Sequence, residues 1–345
     1  MQDTHTPSLT RSLLSLSKPR IVALLTLTGV TAVFAAGGLP LVELAAFVLA
    51  GIGMAGGSAA LNCYYDRDID PEMERTADRP LATGHVSPWV ALAFGTGLLA
   101  AATAVGLLVL PAVSVGYMWL GVASYVGLYT VLLKRRHWLG VVLGGSAGSF
   151  PVLAGWTAVH PVAVPAAPAL LMALLVFVWT PAHAWALAVV YREDFAAVAI
   201  PTLPVVTDPA RTRRAIWLSA LLTVLTAAAL VPFAGPVYAG ALAAGSVLFL
   251  LAYRGFLTAG TDSTAVRAFF TSNVYLALLF VGWAVDGSLA AGPAGALGSA
   301  GLSAMLIGWL WSRRPRLGGV PAAPGPDLPA LATRAYHRVV TAEAP

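Results

Sequence analysis

The chain has 345 residues, of which 58% are hydrophobic and 10% charged, with 20 Lys/Arg against 15 Asp/Glu and a formal net charge of +5. Soluble domains carry roughly 25% charged residues, so this composition excludes a water-soluble globule and indicates a polytopic membrane protein. The single cysteine, Cys63, excludes an intramolecular disulfide, and the basic excess bears on membrane orientation rather than on nucleic acid.

Residues 1–20 are polar, carry Arg11, Lys18 and Arg20, and lack the small-residue cleavage site of a signal peptide; they read as a cytoplasmic N-terminal segment. A spanning helix needs about 20 mainly apolar residues. Such runs lie at 21–38, 44–61, 89–110, 114–133, 139–158, 168–190, 215–233, 236–254, 266–285 and 293–311. They lack the apolar/polar alternation of a membrane barrel, so the fold class is all-α, a transmembrane helical bundle. With ten spans, all 20 Lys and Arg fall on one side. The positive-inside rule then places both termini and the two long connections, 62–88 and 191–214, in the cytoplasm. Trp89, Trp138, Trp217 and Trp311 sit near span ends, where an indole rests at headgroup level. Residues 312–345, rich in Pro, Ala and Gly, read as a disordered cytoplasmic tail.

The first long connection concentrates charge: nine of the fourteen residues from Asp66 to Arg79 are ionisable. A solvated loop is the plain reading, but the spacing argues for more. Asn62, Asp66 and Asp70 recur at i, i+4 and i+8, so a helix continuing from the second span to Pro71 lines them on one face, with Asp68 turned away. Clustered carboxylates beside a low-dielectric membrane require a neutralising cation. Hard oxygen ligands suit Mg²⁺, which completes its shell with water and substrate phosphate. Arg75 and Arg79 follow one and two turns later, and guanidinium forks match phosphate oxygens. Gly56 and Gly57 form no phosphate-binding loop and are expected to permit close helix packing.

The second connection brings Glu193 and Asp194 to the same side of the membrane, four spans later. Taken alone they read as helix-end solvation; taken with the first acidic face they suggest a bundle mouth that holds metal between two acidic sites. His183 lies two to three turns below Asp194 within a span. An intramembrane histidine is a hydrogen-bonded core residue, a base or a haem-iron ligand. Cys63 reads as a buried thiol.

The run Asn62-x3-Asp66-x3-Asp70, with Arg75-Thr76, Arg79-Pro80-Leu81 and Gly84, resembles the signature of the UbiA superfamily of intramembrane prenyltransferases. Tyr65-Asp66-Arg67-Asp68-Ile69-Asp70, Trp179-Thr180-Pro181 with His183, and Asp194 followed by Ile200-Pro201-Thr202-Leu203-Pro204-Val205-Val206 are most similar to its haem-farnesylating branch. The resemblance covers roughly residues 17–286. It implies a nine-helix core over 21–286, to which 293–311 is added as a further span. It also implies farnesyl diphosphate and haem b as substrates, membrane lipid around the core, and a downstream haem a synthase as a partner. Asn62, Asp66, Asp70 and Asp194 would hold Mg²⁺, with Asp66, Asp70 and Asp194 catalytic. Arg75, Arg79, Lys134 and Arg135 would face the diphosphate, and His183 the haem. Two other readings differ in chemistry: prenylation of an aromatic quinone precursor, and transport. Transporters place ionisable sites near the midplane in broken helices, whereas every acid and every Lys or Arg here lies at a span end or beyond.

Overall fold

A computed structural model describes residues 8–291. Within them every regular element is helical. The proposed tenth span at 293–311 and the tail at 312–345 lie outside the described residues.

The chain opens with a short helix α1 (Leu9–Leu16) that breaks at Ser17–Lys18 into α2 (Pro19–Ala35), the two axes bent by 50°. Pro19 at the first helical position explains the break, since proline tolerates a helix start but not its interior. α3 (Leu41–Tyr65) and α4 (Pro88–Val109) follow as an antiparallel pair. Next comes α5 (Ala112–Leu133), α-helical to Val122 and π-helical from Ala123 onward. The fifth expected span is broken at Gly145 into α6 (Gly140–Gly144) and α7 (Ser146–Val159). α8 (Ala167–Val190) leads through two short helices, α9 (Arg192–Ala197) and α10 (Leu203–Val206), to α11 (Pro209–Ala228), α12 (Pro236–Ala259) and α13 (Asp262–Ala291). Counting α1–α2 as one bent span, nine segments among the described residues are long and apolar enough to cross a membrane.

Two helices start earlier than hydropathy indicates. α11 begins at Pro209, where the Asp208 side chain accepts the Arg211 N–H, and α13 begins at Asp262. Their first turns carry Arg and Asp, so an apolar window cannot see them, but an N-cap stabilises the helix in water all the same.

Small residues set the packing. α7 lies against α2, α5 and α8, and α13 returns to α2, which closes the bundle. A Cβ on Gly155 of α7 would stand 2.2 Å from the Gly29 carbonyl oxygen of α2, and one on Gly57 of α3 would stand 2.8 Å from that of Gly95 in α4. Gly57 thus serves close helix packing as expected. The loop at 66–87 and the α9–α10 segment come together at one end of the bundle, through Asp194 and the backbone of Glu74 and Arg75. An apolar cavity of about 270 Å³ runs between α2, α3, α5 and α7, with Thr180 of α8 also in its wall. Gly155→Ala is expected to cost about 1–3 kcal/mol, read as a fall in apparent melting temperature in detergent. Gly116→Ala, whose Cβ meets nothing within 4 Å, is expected to be neutral or stabilising.

Candidate active site

The site begins where α3 stops. The expectation of one continuous helix to Pro71 is not met: α3 ends at Tyr65, and the chain tightens into two 3₁₀ turns, Asp66–Asp68 and Asp70–Glu72. Asp66 leaves the helical conformation at φ −85° and ψ 2°, and Pro71, which cannot donate a helix hydrogen bond, sits inside the second turn. Even so, the acids face inward. Asn62 is 3% exposed and Asp66 and Asp70 are each 0% exposed. Asp68 turns out to solvent, its side chain 59% exposed.

Each buried acid has its own cation. Asn62 Nδ2 donates to Asp66 Oδ2 at 2.8 Å, and Lys134 Nζ donates to the same oxygen. One Arg79 nitrogen reaches both Asp70 oxygens at 2.8 Å. Arg135 is diverted from its expected role. Its fork closes on Asp68 with two bonds of 2.7 Å and on the Tyr65 carbonyl at 3.0 Å, and only one of its nitrogens approaches Asp66, at 3.5 Å. Planar guanidinium binds a carboxylate through two parallel bonds, and exposed Asp68 supplies that geometry. Burial lowers the Lys134 pKa, opposed by the adjacent Asp66 carboxylate. The Asp68 hydrogen bonds raise that of Arg135.

Asp194 is also placed otherwise than expected. Its two oxygens accept the backbone N–H groups of Glu74 (3.3 Å) and Arg75 (3.2 Å), so it clamps the loop. Among the described residues no three His, Cys, Asp or Glu side chains converge to hold an ion. The four-residue set of Asn62, Asp66, Asp70 and Asp194 is therefore not assembled around one point; lysine and arginine neutralise the first acids, and peptide N–H groups occupy Asp194. The donor chemistry nonetheless fits a hard cation at Asp66. Its Oδ1 is buried and accepts no hydrogen bond, the nearest cation being the Arg135 nitrogen at 3.5 Å, and a buried carboxylate oxygen left without a hydrogen bond is costly. Arg75 makes no ion pair among the described residues; its guanidinium lies 5.3 Å from the Tyr191 ring centroid and 5.8 Å from that of Phe195, a cation–π seat that leaves its donors available.

Three further residues belong to the network. Lys18 Nζ donates to Asn62 Oδ1 and, at 3.3 Å, to the Tyr125 hydroxyl; Asn62 Nδ2 also donates to Thr130 Oγ1 at 3.1 Å. Tyr125 and Thr130 stand on the π-helical stretch of α5, which ends one residue before Lys134. Long π-helical runs are rare and cluster at functional sites. Nothing in the sequence marks the π turn. Lys18 beside Pro19 was visible only as one more basic residue before a span.

His183 is part-buried, with Trp179 stacked on one side (4.1 Å between centroids) and Phe269 4.4 Å away. Ser272 Oγ donates to the Phe269 carbonyl, so His183 Nδ1 donates to Ser272 Oγ at 2.7 Å. Its Nε2 then carries the free lone pair and has no hydrogen-bond partner among the described residues. Cys63 is buried and unpaired, as expected.

Asp194→Ala is expected to raise hydrogen exchange at the Glu74 and Arg75 amides about 10-fold, the size of one lost net hydrogen bond to a charged group. Unchanged exchange would show that the carboxylate does not hold the loop.

Comparison with known proteins bears on this geometry. The model of the UbiA prenyltransferase family matches residues 22–274. Protoheme IX farnesyltransferase from Nocardioides sp. is 42% identical over 287 residues, covering 80% of this chain and 90% of that protein. The protein of that name from Roseiflexus sp. is 40% identical over 285 residues, 81% of this chain but 53% of the relative, so the chain spans about half its length. Among solved structures, a UbiA homolog from Archaeoglobus fulgidus bound to GPP and Mg²⁺ superposes with a TM-score of 0.59 at 18% identity, covering 79% of this chain and 99% of that one. A structure of digeranylgeranylglyceryl phosphate synthase gives 0.65 at 14% identity, covering 81% and 98%. The last two show a shared fold.

Proposed function

This chain belongs to the UbiA prenyltransferase family, and from that premise we propose that it moves the farnesyl group of farnesyl diphosphate onto a vinyl group of haem b, giving haem o and diphosphate. The choice of haem rests on the protoheme IX farnesyltransferases to which the chain is about 40% identical. The observation that carries the site is Asp66 itself: it is fully buried, Asn62 and Lys134 both donate to its Oδ2, and its Oδ1 accepts no hydrogen bond and has one Arg135 nitrogen 3.5 Å away.

Asn62, Asp66 and Asp70 are the residues that would hold Mg²⁺, and Asp194 would join them on releasing the Glu74 and Arg75 amides; the fold neighbour from Archaeoglobus fulgidus was solved bound to GPP and Mg²⁺. When bound, the ion neutralises diphosphate charge as the carbon–oxygen bond breaks. Arg75, Arg79 and Lys134 provide cations at the same end of the bundle, and Arg135 holds the Asp68 turn that carries the acids. The wall of the cavity, formed by residues such as Leu25, Phe47, Met54, Met118, Val122 and Phe150, suits an isoprenoid chain and keeps water from the allylic carbon. The C1–O bond breaks with its electron pair leaving on diphosphate, and the terminal carbon of the vinyl group gives its π electrons to C1. The resulting cation beside the porphyrin takes up water and loses a proton, leaving a hydroxyalkyl substituent.

His183 is the residue we assign to the haem. Its Nδ1 is fixed by Ser272, its ring by Trp179 and Phe269, and its Nε2 is free to meet the iron of the substrate. The clustering of Lys and Arg at one end of the spans supports a site on the cytoplasmic side of the inner membrane, where a haem a synthase would receive the product.

Purified protein given haem b and farnesyl diphosphate with Mg²⁺ is expected to yield a product heavier by one farnesyl group and one hydroxyl, by mass spectrometry; prenylated 4-hydroxybenzoate instead would favour the quinone reading. Asp66→Ala and Asp70→Ala should each lower turnover about 100-fold or more, and EDTA should do the same to wild type. Full activity in both variants and in EDTA would refute the metal assignment. For His183→Ala, the expected outcome is weaker haem binding with an altered Soret band; an unchanged spectrum and affinity would remove the histidine from the haem.

A further inference from the structure

Lys134 and Lys18 are the two lysines of the chain, and they differ in one respect. Lys134 pairs with Asp66, whereas Lys18 has no carboxylate within 4 Å among the described residues; its partners are an amide oxygen and a phenol. Lys18 also holds a left-handed backbone, φ 50° and ψ 61°, without a side-chain cap at the start of α2. Glycine or asparagine adopts that conformation at lower cost. A lysine at such a turn is accounted for by its side chain rather than by its backbone.

That side chain reaches the cavity. Lys18 and Tyr125 both line it, and Lys18 is the single charged residue in its wall; the rest is apolar apart from hydroxyls such as Thr26, Ser58 and Thr180. The cavity therefore matches an amphiphile with a long apolar chain and an anionic head. The ammonium stands between that chamber and Asn62, which passes the connection on to Asp66. We infer that Lys18 is a catalytic residue that contacts the diphosphate of the prenyl donor, with its hydrogen bonds to Asn62 and Tyr125 holding the ammonium where the head group meets the chain. This rests on the prenyl-diphosphate reading above. In the reaction Lys18 donates hydrogen bonds to the departing phosphate oxygens and transfers no proton.

A merely structural Lys18 would tie α2 to α3 and nothing more. The two roles separate by calorimetric titration of the full chain in zwitterionic detergent with inorganic pyrophosphate and Mg²⁺. Lys18→Gly, which relieves the backbone, is expected to keep or raise the melting temperature while binding pyrophosphate about 10- to 100-fold more weakly, the scale of a lost charge-assisted hydrogen bond. Lys18→Arg is expected to retain affinity within about threefold, because it keeps the charge. Lys18→Gln is carried alongside, so that a folding defect in one variant leaves the comparison intact. Wild-type affinity in both Lys18→Gly and Lys18→Gln overturns this inference alone; a wild type that binds no pyrophosphate overturns the prenyl-diphosphate reading with it. Added phosphatidylglycerol distinguishes a lipid headgroup, since lipid that displaces pyrophosphate from wild type would make Lys18 a lipid contact and defeat the proposal.

Discussion

The placement of two carboxylates with no access to water, at the end of a membrane-spanning helix, governs much of the architecture around them. Asp66 and Asp70 are completely buried, and an ionised acid in such surroundings persists only with opposite charge and hydrogen bonds at hand. The chain supplies these from distant segments: Lys134 from the end of α5, Arg79 from the loop nine residues on, and Asn62 from one turn back. Lys18 reaches the same network from the break before α2. Four separate pieces of backbone are thereby tied to one another by charge and hydrogen bonds, in addition to the small apolar cluster of Leu16, Ala60, Cys63, Leu81 and Val86. Association of helices in lipid gains little from the hydrophobic effect, so polar ties of this kind carry specificity that a soluble core would obtain from packing.

The same constraint explains why the acids sit in 3₁₀ turns. A straight α3 would have carried Asp66, Asp68 and Asp70 outward along its axis, with Asp68 pointing elsewhere. The tighter turns that follow Tyr65 instead leave Asp66 and Asp70 both buried while Asp68 meets Arg135 at the surface. Arg135 thus acts on the site indirectly. By gripping Asp68 and the Tyr65 carbonyl it holds the first turn in place, which leaves Lys134, its neighbour in sequence, to work inside. Adjacent basic residues have been given opposite tasks by burial alone, something that one-dimensional spacing does not distinguish.

Membrane helices and the acidic signature were legible because both depend on local pattern. Apolar run length defines a span, and the i, i+4, i+8 spacing survived as shared burial even where the helix did not. What could not be read depends on events remote in sequence. Asp194 lies beside Glu193 in an exposed-looking helix end, and only the approach of the 74–75 backbone turns it into a clamp. The π-helical half of α5 arises within an apolar run with no proline or charge to announce it. The starts of α11 and α13 fell outside the hydropathy windows because their first turns are polar.

The two halves of the proposed reaction make opposite demands on the protein, and the layout answers them separately. Breaking the carbon–oxygen bond calls for concentrated positive charge, and this is found at the end of α3, where Lys134 and Arg79 converge. Holding a flat, greasy acceptor calls for aromatic faces and a neutral ligand, the role we propose for His183, which stacks with Trp179 on α8 and Phe269 on α13. The connection between them is short: Thr180, one turn before His183 on α8, lies in the wall of the same chamber as Lys18.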